Sequence, residues 1–125
     1  MTVDPGYSEN HFIYVYFTES NFLSASNKIV RYHLTDGDLT ENKVLIEGIP
    51  AGPFHDGGRI QFGPDGKLYA TTGEAGNPSL SQDLNSLGGK ILRINSDGTV
   101  PDDNPWKSLP LYSIGHRNPQ GIAWD

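Results

Sequence analysis

FHDGGRIQFGPDGKLYATTGEAG, residues 54–76, reads as a β-hairpin held between two polar, glycine-rich loops. In its middle, RIQF (Arg59–Phe62) passes through Gly63-Pro64-Asp65-Gly66 into KLYATT (Lys67–Thr72). Proline sets φ, aspartate bonds back to its own backbone, and glycine accepts positive φ, so Pro-Asp-Gly makes a tight turn between two strands. On one side His55 and Arg59 flank two glycines, and on the other Glu74 sits among further glycines. Ionisable side chains gathered in loops at one end of a hairpin point to a role beyond turning the chain.

Outward from the hairpin, strand-like runs follow one another. HFIYVYFTE (His11–Glu19) is β-branched and aromatic, and apolar on both faces over Phe12–Phe17, which predicts cover on each side. KIVRYHL (Lys28–Leu34) sets Val30, Tyr32 and Leu34 against Arg31 and His33, predicting that His33 faces solvent. NKVLIEGIP (Asn42–Pro50) is a third short strand. Beyond the hairpin, GKILRIN (Gly89–Asn95) leads to a turn at Asp97-Gly98, LPLYSI (Leu109–Ile114) follows, and GIAWD (Gly121–Asp125) begins one more strand. No segment carries a helical apolar stripe. The predicted class is all-β.

Composition agrees. In 125 residues there are 15 glycines and 9 prolines with only 35% apolar residues, a balance that favours short strands and many turns. The net charge of -6 removes the basic footprint that nucleic acid or an anionic membrane surface would need. With no cysteine there are neither disulfides nor thiolate zinc sites. No run approaches the roughly 20 apolar residues of a membrane helix, and MTVDPGYSEN has no apolar signal region.

A faint repeat orders the strands. Superposing GRIQFGPDG on QGIAWD sets Ile60 over Ile122 and Phe62 over Trp124, about 60 residues apart. Four strands lie between those points, and four antiparallel strands per repeat describe a propeller blade, whose usual period is about 40–45 residues. The expected architecture is a β-propeller fragment of about two blades: residues 7–50 one blade, 54–117 the next, 118–125 the start of a third.

That architecture gives the polar loops a meeting place. The first strand of each blade lies nearest the central axis, so residues just before it stand at the mouth of the channel. His55 and Arg59 precede one such strand, and GHRNPQ, with His116, Arg117, Asn118 and Gln120, precedes the next. Glu74 follows the second strand of the hairpin, at the same end. A histidine beside a carboxylate and a guanidinium suits general-base catalysis: the carboxylate orients the imidazole, and the arginine holds an anionic group. The long connection GEAGNPSLSQDLNSLG (Gly73–Gly88) either borders a cleft or is simply solvated. His116 reads as structural, packing under its loop. His11 and His33 have no ligand cluster around them, and Pro101–Asn104 reads as a turn, so no metal site is assigned.

HDGGRIQFGPDGKLYATTGEAG, DLNSLGGKILRINSDGTVPDDNP and YSIGHRNPQGIAWD resemble, in that order, the glucose/sorbosone dehydrogenase family. Its members are soluble aldose sugar dehydrogenases dependent on pyrroloquinoline quinone (PQQ), built as six-bladed propellers. GHRNPQG paired with the upstream His-x-Gly-Gly-Arg is the specific part; GPDGKLY alone would occur in many propellers. The resemblance implies that His55 is the general base for the anomeric hydroxyl, and that Glu74 stands at the acidic position pairing with it, usually Asp. It implies that Arg117 and Asn118 contact PQQ, the arginine near the reactive carbonyl, with Gln120 at a neighbouring position. Phe54 and Asp56 sit where members vary and receive no role. It further implies an aldose substrate, an external electron acceptor, calcium ligands outside these 125 residues, and a periplasmic or secreted setting. The competing reading is a non-catalytic propeller module binding a sugar or a protein partner. A metal-dependent lactone hydrolase is a third, and would need inward carboxylates that are not evident here.

Overall fold

Two four-stranded antiparallel sheets lie face to face in the computed structural model, which describes residues 1–125. The first contains β1 (Thr2–Val3), β2 (Phe12–Ser20), β3 (Ala25–Thr35) and β4 (Asp38–Pro50), in that order across the sheet. The second contains β5 (Ile60–Phe62), β6 (Leu68–Thr72), β7 (Lys90–Ile94) and β8 (Leu111–Ile114), again in chain order. Each is the up-and-down four-stranded unit expected of a propeller blade. Helix is confined to one turn, α1 (Tyr7–Asn10), and a 3-10 segment at Pro78–Gln82. No helix is long and apolar enough to cross a membrane.

Tight turns set the strand registers. Asp36 and Gly37 both take positive φ (52° and 88°), the two-residue hairpin geometry that brings Thr35 opposite Asp38. In the GPDG turn, Gly66 has φ 72° and the Asp65 carboxylate accepts the Lys67 N–H at 3.0 Å, giving the register Phe62 to Leu68. The core forms where the sheets face each other. Tyr14, Ile29, Ile46 and Ile49 of the first meet Ile60, Leu68, Ala70, Leu92, Ile94 and Leu111 of the second.

Two sequence expectations are corrected here. His33 does not face solvent. The register Phe12↔His33, Tyr14↔Arg31 and Tyr16↔Ile29 puts Arg31 and His33 on the face that carries Tyr14 and Ile29, towards the second sheet. There the Arg31 guanidinium lies 4.2 Å from the Phe12 ring centroid and donates to the Ser96 carbonyl at 2.9 Å, while His33 is half-buried and stacks on His11. A long arginine bridging to backbone carbonyls makes a good inter-sheet contact, so polarity alone misassigned the face. GIAWD is the second correction, for residues 121–125 carry no strand. A strand needs a ladder partner, and neither sheet pairs with this segment. Trp124 instead sets its ring edge-on to Tyr69 at 5.1 Å.

On β7 the buried Arg93 gathers the turns at the end of the second sheet remote from residues 54–59. Its guanidinium donates to Asp65 at 2.9 and 3.0 Å, to Asp103 at 2.7 Å and to Asn104 at 2.9 Å. Partial burial raises the Asp65 carboxyl, but the Lys67 N–H, Arg93 and Tyr69 outweigh it and leave the group below its usual range. Arg93 likewise holds Asp103 low. A carboxyl lowered in the folded state stabilises the fold above its unfolded value, near 4, and that stabilisation disappears as pH falls through the folded value. Between pH 5 and pH 2.5 the wild-type urea midpoint should therefore fall more steeply than that of Asp65→Asn, which starts lower. Parallel declines would show that Asp65 carries none of the acid sensitivity.

Candidate functional site

Antiparallel topology brings four chain segments to one end of the second sheet: the approach to β5, the exit of β6, the approach to β7 and the exit of β8. They enclose a cleft of about 630 Å³ lined by Phe54, His55, Glu74, Gly76, Pro78, Ser81, Gln82, Gly115 and Arg117. Three of the residues singled out from the sequence, His55, Glu74 and Arg117, meet there. The connection Gly73–Gly88 borders this cleft rather than lying free in solvent. Asn77 initiates its 3-10 turn by accepting the Ser79 N–H and hydroxyl at 3.3 and 2.7 Å.

His55 sits in the crossover from β4 to β5 with φ 63°, a left-handed conformation unusual for a side-chain-bearing residue. The surroundings over-determine it. Its carbonyl accepts the Ala75 N–H at 3.0 Å, and the following residues are tied down by Gly58 N–H to the Thr71 carbonyl at 2.8 Å. Its Nδ1 lies 2.7 Å from Glu74 Oε1. With a carboxylate as acceptor the imidazole donates from Nδ1, leaving Nε2 as the free, basic nitrogen. Glu74 is 3% exposed, so this contact is sheltered. The glutamate reaches the imidazole at hydrogen-bond distance, and its own N–H donates to the Arg117 carbonyl at 2.9 Å.

One backbone bond thus links the carboxylate's residue to the arginine's loop. The Arg117 side chain is exposed on the cleft, and the ion pairs of the chain (Lys28–Glu19, His55–Glu74, Arg93–Asp65, Arg93–Asp103) leave it without a carboxylate. Asn118 and Gln120 lie elsewhere. The Asn118 carbonyl oxygen accepts the Gly57 N–H at 3.0 Å, clamping the histidine loop against the next crossover. Gln120 is exposed outside the cleft, and its backbone carbonyl takes the Arg59 Nε–H at 3.4 Å, which also turns Arg59 away.

Several supports carried no legible signal in the sequence. Asp56 accepts from Asn27 Nδ2 and from the Gly52 N–H, both at 3.0 Å, while Tyr16 donates to its carbonyl at 2.8 Å. Residues of the first sheet thereby hold the loop that bears His55. Beneath the cleft the fully buried Lys90 ammonium donates to the carbonyls of Leu80, Ser81 and Gly88 at 2.6, 3.1 and 2.6 Å. Burial, only partly offset by Asp83, lowers its affinity for the proton. His116 is structural as expected: Nε2 pairs with Ser113 Oγ at 2.8 Å, and burial, then Lys90, holds the ring below the usual histidine range.

Comparison with known proteins adds a second line. A sequence model of the family described as Glucose / Sorbosone dehydrogenase matches residues 1–125. The chain is 31% identical to quinoprotein glucose dehydrogenase B of Acinetobacter calcoaceticus over 96% of its length and 31% of that protein's. It is 30% identical to an aldose sugar dehydrogenase of Escherichia coli, over 95% and 35% of the respective lengths. Among solved structures, the PQQ-bound form of an aldose sugar dehydrogenase from Streptomyces coelicolor superposes with a TM-score of 0.91 at 47% identity, covering 98% of this chain and 37% of that one. The chain thus spans about a third of the length of the curated relatives it matches.

Proposed function

The chain belongs to the glucose/sorbosone dehydrogenase family, and on that premise we propose that the whole protein oxidises the anomeric hydroxyl of aldose sugars to the lactone with PQQ as hydride acceptor. The observation that carries the reading is the 2.7 Å His55–Glu74 contact in the same cleft as an unpaired Arg117. Two rim segments some 60 residues apart would not otherwise need to hold a base and a free cation together.

The residues suit such a cofactor. PQQ is a planar tricarboxylate, five of the nine residues lining the cleft are polar or charged, and Arg117 offers a planar guanidinium with no competing partner. The volume lies within the range of about 300–1,000 Å³ typical of ligand sites. Among residues 1–125 no group of three or more His, Asp or Glu side chains is gathered to hold a metal, and the proposal assigns the calcium ligands to the rest of the whole protein, as the resemblance implies.

When bound, PQQ supplies the two-electron acceptor for the C1 hydride. His55 Nε2 takes the proton of the anomeric hydroxyl, so the C1–O bond becomes a carbonyl as the C–H bond breaks. Glu74 keeps Nε2 free by holding the Nδ1 proton, and shelters the imidazolium charge that results. Arg117 holds negative charge on the cofactor side of the cleft. The proposal also includes an external electron acceptor and a periplasmic or secreted setting.

The direct test reconstitutes the full-length protein with PQQ and calcium and offers aldoses with an artificial acceptor dye. Lactone formation that requires PQQ is expected. Failure of PQQ to change the visible spectrum, with no oxidation, would instead favour a binding module. Glu74→Gln should lower kcat at least tenfold with a smaller change in KM, because an amide can donate to Nδ1 and favour the wrong tautomer. Unaltered kcat in this variant would remove Glu74 from the mechanism.

A further inference from the structure

Phe54 is the one Phe, Tyr or Trp among the cleft's lining residues, and 56% of its surface is open. An aromatic ring left in solvent without purpose forfeits burial, so its setting matters. The ring is not loose. It meets the His55 imidazole edge-on, with centroids 4.9 Å apart and planes at 80°. The backbone of Gly76 also lies close to it, where φ is 80° and an added Cβ would stand 3.0 Å from a Phe54 ring carbon. The ring is thus braced by the proposed base and by a glycine that gives it room, with the remainder facing the cleft.

Every other cleft side chain is polar, small or proline. A pyranose has hydroxyls around its edge and C–H groups on its faces, and a polar cleft with a single braced aromatic wall matches that division. We infer that Phe54 is the stacking platform for the sugar ring, placing the C–H face of an aldose against its phenyl ring while the anomeric hydroxyl reaches His55. This rests on the dehydrogenase reading for the identity of the ligand. The platform belongs to substrate rather than cofactor because it abuts the imidazole, and the group that meets that imidazole is the sugar hydroxyl.

The experiment uses full-length protein, wild type and the variants Phe54→Ala and Phe54→Tyr, with two ligands. D-glucose gives kcat and KM, and 1,5-anhydro-D-glucitol, which lacks an anomeric hydroxyl, gives a calorimetric Kd independent of turnover. Phe54→Ala should raise both KM and Kd about three- to tenfold, Phe54→Tyr should restore them, and the pH profile of kcat should not move. Because the residue is largely exposed, its truncation leaves the core intact. Wild-type oxidation of glucose with KM and Kd unchanged in Phe54→Ala would overturn the inference while leaving the dehydrogenase reading standing. So would a loss confined to PQQ affinity, or a shifted pH profile with unchanged sugar binding. Conversely, anhydroglucitol binding that weakens in Phe54→Ala, in a protein that oxidises no aldose, would sink the dehydrogenase reading and keep the platform.

Discussion

Replacing His55 with alanine should lower aldose turnover by about 10²–10⁴-fold, the usual contribution of a positioned general base. The expectation comes from geometry. With Nδ1 held by the buried Glu74 carboxylate at 2.7 Å, only Nε2 is free to accept a proton. No second imidazole lines the cleft. His116 lies between the lining residues Gly115 and Arg117, but its Nε2 is occupied by Ser113 and its proton affinity is depressed by burial. Added imidazole should recover part of the lost rate in His55→Ala, because truncation leaves space where the ring stood, and PQQ titration should show the variant still loads cofactor. Wild-type rates in His55→Ala would end the assignment. A variant that fails to bind PQQ would instead show that His55 serves the cofactor site.

How much of this was legible in the residues depends on whether the signal was local. Pro64-Asp65-Gly66 dictates its own turn, and the runs around it show their strand character through β-branched and aromatic content, so the second sheet was readable almost strand by strand. The meeting of His55, Glu74 and Arg117 could be expected only through topology, because antiparallel strands return alternate loops to one end. Facing was harder. Arg31 and His33 lie on the inter-sheet side, where the loop after β7 offers Arg31 the Ser96 carbonyl and Phe12 of the adjoining strand meets both side chains, and no pattern within β3 announces that setting. Thr2–Val3 is too short to show any periodicity, yet it completes the first sheet by pairing with Ile13 and Tyr14. Asp56 received no role from the sequence, and nothing in it singles out Lys90. Their roles depend on carbonyls and amides that only the folded backbone delivers. Asn118 was assigned to the cofactor by resemblance; its side-chain oxygen accepts the Gly57 N–H, a bond no local pattern announces, and its NH2 group has no bond to either sheet.

Gly73→Ala should be the most damaging single-methyl change in the chain. A Cβ at residue 73 would stand within 1.7 Å of the His55 carbonyl oxygen and 2.2 Å of its carbon, both backbone atoms that no rotamer can move aside. Gly57 is the next tightest contact at this junction: a Cβ there would lie 2.5 Å from the Thr71 carbonyl oxygen. The two segments cannot slide apart freely, because Gly58 N–H to Thr71 and Ala75 N–H to His55 bond across the junction, and Asp56 is held by Asn27 of the first sheet and by Gly52 just beyond it. Accommodating the methyl means moving the His55 peptide by more than an ångström, at a cost of about 3 kcal/mol and about a hundredfold in turnover, the penalty for misplacing a catalytic group by that distance. Gly66→Ala is the control. Its φ of 72° strains an alanine by about 1–2 kcal/mol, but nothing lies within 4 Å of the added carbon and the turn is at the opposite end of the hairpin. That variant should lose stability and keep its rate, whereas Gly73→Ala should lose both. Equal turnover in the two, measured below their unfolding transitions, would mean that the His55 loop has slack the close contacts do not reveal.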